Sequence, residues 1–170
     1  VEYATGERQY QRLLRQGQEA LDAGRSYAAI EAFTSALTLR PQSMVAYYHR
    51  AQAYREQQQD DQAIRDFRAA IRIAPGAPQP LVALGDLYDA TDPAQAAAWY
   101  GQADALVNSD DPALLYKLAQ ARYRAGSPAE AIQPLRRAIA RNDSSAETHY
   151  LLGLVCRDAQ HPDEAIAALE

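Results

Sequence analysis

Tyr47, Tyr48, His49 and Arg50 set phenols, an imidazole and a guanidinium side by side, the raw materials for an acid, a base and an oxyanion partner. Other reactive types are sparse. His149 and His161 complete the histidines, Cys156 is the single cysteine, Lys117 is the single lysine, and aspartates double at Asp60-Asp61 and Asp110-Asp111. No His-Glu-x-x-His or His-x-x-Glu-His element occurs, so a zinc site has no local support. Phosphate-cradling Gly-x-Gly-x-x-Gly and Gly-x-x-x-x-Gly-Lys-Ser/Thr loops are missing from the sequence, as is a Gly-x-Ser-x-Gly elbow. By motif the chain offers no catalytic residue, cofactor site or metal ligand, and one cysteine allows neither an internal disulfide nor a thiolate cluster.

The question becomes which elements position these side chains. A chain of 170 residues with net charge -5 and pI near 5.2 is long enough for one folded domain. Its charge disfavours nucleic-acid and anionic-membrane partners, which are held mainly by excess Lys and Arg. No apolar run approaches the roughly 18 residues of a membrane helix, and VEYATGERQY lacks the apolar core of a signal peptide. The first residue is Val1 rather than Met, so the expectation is an N-terminus processed or cut short. Cytoplasm and periplasm both stay open as compartments.

The small residues Gly17, Ala51, Gly85, Ala119 and Gly153 fall 34 apart every time. A second series, Ala29, Ala63, Ala96, Ala131 and Ala165, is spaced 34, 33, 35 and 34. Most members of the second series open an A-x3-aromatic-or-Leu motif with a further Ala three residues on: Ala29, Phe33, Ala36; Ala63, Phe67, Ala70; Ala96, Tyr100, Ala103; Ala131, Leu135, Ala138. Spacings of three and four place each set on one helical face, so each repeat holds two helices. Between them stand breakers and cap formers, Gly24-Arg25-Ser26, Gln59-Asp60, Thr91-Asp92-Pro93, Gly126-Ser127-Pro128 and His161-Pro162, and loops this short force the pair antiparallel. Ser127 with Glu130 and Ser144 with Glu147 have capping-box spacing, and the doubled aspartates read as caps at helix starts. One helix pair cannot bury its own apolar stripe, whereas stacked pairs bury a continuous one.

Leu81-x2-Leu84-Gly85-x2-Tyr88 and the looser Tyr47-x2-Arg50-Ala51-x2-Tyr54 resemble the first half of the tetratricopeptide repeat, and A-x3-F resembles its second half. The resemblance implies an all-α superhelical α-solenoid. After a lead-in over residues 1–9, its repeats run 10–43, 44–77, 78–111, 112–145 and 146–170, the last incomplete. In the third repeat the second-helix alanine arrives one residue early, which predicts a tightened loop near Asp89 to Pro93 and a linker one residue longer near Leu106 to Asp111. Pro134 lies inside a second helix and predicts a kink. His149 takes the family's Trp place and Cys156 its Tyr place, both packing positions. The final helix is cut short with Ile166 and Leu169 uncovered, and the expectation is a chain that continues, the rival being an end that docks on another copy.

On a helix turning 100° per residue, Tyr47, Ala51 and Tyr54 share one face and His49 points away from it, so the opening stretch is not a cluster. In tetratricopeptide proteins the first helices line the concave surface. The resemblance therefore assigns to a groove Leu14, Gln18 and Leu21; Val45, Tyr48, His49 and Gln52; Val82 and Asp86; Tyr116, Lys117, Gln120 and Tyr123; Tyr150 and Leu154. Tyrosines at matching places, Tyr48, Tyr116 and Tyr150, suit an interface core. Chaperone-binding members grip a terminal carboxylate with Lys, Asn and Arg on three successive first helices, and no frame of this sequence reproduces that clamp. The expected role is a non-enzymatic protein-protein interaction module, adaptor or scaffold, holding a peptide or helix. It needs no cofactor, takes no nucleic acid and inserts in no membrane. The alternatives are the non-catalytic arm of a longer enzyme, or a scaffold that self-associates through its C-terminal end.

Overall fold

The computed structural model describes residues 2–107, 111–141 and 145–160. Asp110, Ser144, His161, Ala165, Ile166 and Leu169 lie outside them, as do the expectations resting on them. Nine helices form the described residues: α1 (Glu2–Asp22), α2 (Ser26–Leu39), α3 (Met44–Glu56), α4 (Asp60–Ile73), α5 (Pro78–Tyr88), α6 (Pro93–Val107), α7 (Pro112–Arg124), α8 (Pro128–Arg141) and α9 (Ala146–Asp158). The lead-in is therefore helical and continuous with the first repeat. Two compact units divide the chain, Val1–Pro80 and Leu81–Glu170. In the first unit α1 packs with α2, α2 with α3 and α3 with α4, and α1 also meets α3. In the second, α6 packs with α7, α7 with α8 and α8 with α9, and α7 also meets α9. Each unit is thus a stack of antiparallel helix pairs, the α-solenoid arrangement, in which first helices of consecutive repeats come together on one side.

Close approach of backbone to ring explains the recurring small residue. A Cβ added to Gly17 would stand 2.6 Å from the Phe33 ring, and one added to Gly85 would stand 2.4 Å from the ring of Tyr100. Ala51 and Ala119, at the same repeat place, are wholly buried, as are Phe67 and Leu135 on the second helices of their repeats. The two series of the sequence are therefore two sides of one contact: a small residue on the first helix receives the large residue of A-x3-aromatic on the second.

First helices begin at residues 44, 78, 112 and 146, in constant register, while second helices begin at 26, 60, 93 and 128. After the first helices α1, α3, α7 and α9 the chain uses the left-handed region, φ +68 at Gly24, +57 at Gln58, +84 at Gly126 and +65 at Gln160, all at one repeat place. Asp92 holds that place in the third repeat and departs from the rule. Here α5 ends two residues early, at Tyr88, the Asp92 amide bonds back to the Tyr88 carbonyl at 2.7 Å, and the Asp92 carboxylate accepts the Gln95 amide at 3.0 Å. The expected shortening does not occur: more residues lie outside helix here than in the other repeats, because α5 stops early. α6 has 15 residues against 14 in α2, α4 and α8, and the expected longer linker after it falls at 108–110, outside the described residues.

First helices are capped by side chains: Ser43 Oγ accepts the Ala46 amide at 3.1 Å, Asp111 accepts that of Ala113 at 3.0 Å, and Ser145 accepts that of Thr148 at 3.4 Å. The α9 cap is therefore Ser145, one residue after the Ser144 that the capping-box spacing named. Asp60 and Asp61 lie inside the first turn of α4, whose N-cap is Gln59 without a side-chain bond, so they act on the helix dipole rather than as caps. Ser43 is itself held by Tyr10, Oη to Oγ 2.6 Å, which ties the start of α3 to α1.

α8 runs unbroken through Pro134, which is fully buried. A proline there cannot donate to the carbonyl four residues back, and that carbonyl, Glu130, instead accepts Nη1 of Arg122 at 2.8 Å. Arg122 stands three residues after the small Ala119, the place that Tyr54 and Tyr88 hold in their repeats. Two departures from the repeat thus compensate one another.

Candidate peptide-binding face of the first helices

The helix α3 separates the four neighbours of the opening stretch. Arg50 turns toward α4 and binds Asp66 twice, Nε to Oδ2 2.6 Å and Nη2 to Oδ1 2.9 Å. It also donates to Thr34 at 3.1 Å and lies 5.5 and 5.8 Å from the ring centroids of Tyr47 and Tyr54. Burial works against the Arg50 charge, yet the hydrogen bond and field of Asp66 outweigh it and hold the guanidinium above its ordinary value. His49 turns elsewhere. It stacks on Phe33 with centroids 5.6 Å apart, meets the Tyr48 edge at 5.2 Å, and its Nδ1 donates to Gln52 Oε1 at 2.8 Å, whose Nε2 donates to Tyr48 Oη at 3.2 Å. Arg50 and His49 therefore serve different networks, and the stretch builds no acid, base and oxyanion constellation.

The remaining first-unit residues divide. Val45 is 43% exposed, and Gln18 is half-buried with its amide on Asp22 at 2.8 Å. Leu14 is half-buried against the core clusters around Phe33 and Ala36. Leu21 is a correction: it is buried with Ala20, Ala29, Phe33 and Ala53, because α1 turns it toward α2 and α3 rather than toward an open face. Tyr48 is half-buried and lies 5.7 Å from Phe67, so part of its ring belongs to the core.

In the second unit α7 and α9 bring several assigned residues together. Tyr116, Lys117 and Gln120 line a cavity of about 600 Å³ with Pro112, Ala113, Ser145, Glu147 and Thr148. Tyr150, one turn beyond Glu147 on α9, is 60% exposed, and Leu154 is half-buried one turn further. Tyr123 donates to Asp158 at 2.6 Å, and this bond is the first cause that raises the phenol above its usual range. Val82 is half-buried on α5. Lys117 lies across to Asp86 at 2.7 Å and 5.9 Å from the Tyr100 ring centroid, while Tyr100 Oη donates to the same Asp86 oxygen at 2.7 Å. Burial first, then Asp86, pushes the Tyr100 phenol up. Lys117, the single lysine of the chain, is thus already committed to a carboxylate.

Ala113 and Glu147 line the cavity though the groove assignment omitted them. They hold one repeat place, 34 residues apart, and that shared place was the signal. Ser145 and Thr148 enter through the cap of α9, which repeat spacing alone does not reveal. Cys156 is fully buried beside Val155 and Leu152. Among the described residues no three His, Cys, Asp or Glu side chains gather to hold a metal, and no helix is long and apolar enough to cross a membrane.

A family model described as Tetratricopeptide repeat matches residues 3–78, and one described as Anaphase-promoting complex, cyclosome, subunit 3 matches residues 86–170. A comparison with curated proteins gives no significant match. Solved structures share the fold: MamA at TM-score 0.82 and 19% identity, covering 94% of this chain and 87% of that one; YrrB, described as a TPR protein with an unusual peptide-binding site, at 0.78 and 17%, covering 92% and 80%; and a tetratricopeptide repeat protein from Parabacteroides merdae at 0.81 and 16%, covering 95% and 64%. With two repeat-type family models spanning almost all of a sequence whose period is 34 and whose helices stack in pairs, the chain belongs to the tetratricopeptide repeat family.

Proposed function

We propose that this chain is a non-enzymatic protein-interaction module that holds a peptide segment or helix against the face made by its first helices α7 and α9. The observation that carries the reading is the cavity between α7 and α9, where Tyr116, Lys117 and Gln120 converge with Glu147, the exposed Tyr150 standing one turn further along α9. Tyrosines offer broad contact at low entropic cost and keep a polar tip. The cavity volume is in the range that accepts a few side chains rather than a whole domain. A peptide-binding site described for YrrB, a protein of the same fold, supports the reading.

The test is selection of a displayed random peptide library on the intact chain, followed by titration of recovered peptides against variants. Tyr116→Ala with Tyr150→Ala should weaken binding at least tenfold while the far-ultraviolet helical signal is kept. Tyr27→Ala, at an exposed tyrosine on the second helix α2, should bind as wild type does. Tyr48 is left out because its contacts with His49 and Phe67 would mix folding with binding. Selected peptides that bind the double variant unchanged would remove the face from consideration.

A further inference from the structure

Resting on that reading, we infer that the α7–α9 face takes a peptide through a cationic side chain, arginine or lysine, received by Glu147 between the tyrosines Tyr116 and Tyr150. Three described cations of α7 and α9 each have a carboxylate within hydrogen-bond distance: Lys117 on Asp86 at 2.7 Å, Arg124 on Asp89 at 2.9 Å and Arg157 on Asp158 at 2.8 Å, while Arg122 turns to the Glu130 carbonyl of α8. Glu147 lines the cavity, is exposed, and has no cationic partner among the described residues. Among the described residues of the face, the uncompensated charge is therefore the negative one of Glu147.

The surroundings suit a cation in a second respect. The aromatic ring face attracts a guanidinium or ammonium group, and Tyr116 lines the cavity while Tyr150 stands one turn along α9 from Glu147. A partner carboxylate would meet Glu147 and find Lys117 already neutralised by Asp86. The bland role of Glu147, an acid in the first turn of α9 favoured by the helix dipole, does not compete, since a carboxylate in that place still projects its charge into the cavity.

Two fluorescein-labelled octapeptides with blocked ends serve as probes, one alternating leucine with arginine and one alternating leucine with glutamate. Binding is read by anisotropy at physiological salt and by amide shifts of the 15N-labelled chain. The arginine peptide should bind more tightly and shift Tyr116, Gln120, Glu147 and Tyr150. Glu147→Gln should weaken it about 3- to 5-fold, and Glu147→Lys should reverse the preference between the peptides. Asp61→Asn, at an exposed acid of α4, controls for general attraction to an acidic protein and should change nothing. Equal shifts from both peptides, or equal weakening by Asp61→Asn and Glu147→Gln, would overturn the cation assignment and leave the face standing. Shifts from neither peptide at these amides would overturn both.

Discussion

Pro134 and Arg122 form a pair whose energies can be worked out before any measurement. Proline inside a helix costs about 3 kcal/mol relative to alanine. Pro134 is fully buried, so truncation to alanine gives up about two methylenes of burial, roughly 1.6 kcal/mol. Pro134→Ala should therefore stabilise by about 1 kcal/mol, restoring an amide for the Glu130 carbonyl. Arg122→Met keeps the stem and removes the bond from Nη1 to that carbonyl. A charged hydrogen bond contributes roughly 1.5–3 kcal/mol when sheltered, and here the Arg122 side chain is 29% exposed, so a loss of about 1 kcal/mol is expected. In the Pro134→Ala background the carbonyl has its intrahelical donor and Arg122→Met should cost close to nothing. The double-mutant cycle then gives a coupling of about 1 kcal/mol. Urea unfolding followed by fluorescence of Trp99, the single tryptophan, reports on the unit that contains both residues. Additive effects, with coupling below about 0.4 kcal/mol, would refute the compensation.

Gly85→Ala gains about 1 kcal/mol of helix propensity but drives a Cβ to 2.4 Å from the Tyr100 ring, an overpacking cost of about 1–3 kcal/mol; a net loss of about 1 kcal/mol should lower the Trp99 melting midpoint. Asp66→Ala strands Arg50, whose side chain is 17% exposed, and should destabilise by about 2–3 kcal/mol, whereas Arg50→Leu with Asp66→Leu should return close to wild type, checked by chemical unfolding. Asp92 has its carboxyl held below the ordinary value by the backbone and then the side chain of Gln95. A carboxyl depressed in the fold contributes stability that is full above its unfolded value near 3.8 and fades as pH falls through the lower folded value. The gap between wild type and Asp92→Ala should therefore be constant near neutrality and close below about pH 4, read as the midpoint difference across a pH series.

The period was legible in the sequence because one contact recurs in every repeat: Gly17 under Phe33 and Gly85 under Tyr100 need a small residue and a ring at fixed places, and any exchange there is felt at once. What the period could not show is where a repeat answers its own departures. Arg50 reads as a flaw in the pattern until Asp66 is placed opposite it, and Arg122 until Pro134 leaves a carbonyl without its amide. The site is legible to the same degree. Helical spacing brought Tyr116 and Gln120 to one face and carried Leu21 wrongly onto another, since α1 turns Leu21 into the cluster around Phe33. Repeat spacing assigns Lys117 to ligand contact, but Asp86 lies 31 residues away in sequence and Tyr100 on the preceding helix α6, and only packing reveals that they meet its charge. A repeat therefore tells which face is open, and the local exceptions decide which charges on that face are left for a partner. Here the exceptions leave Glu147.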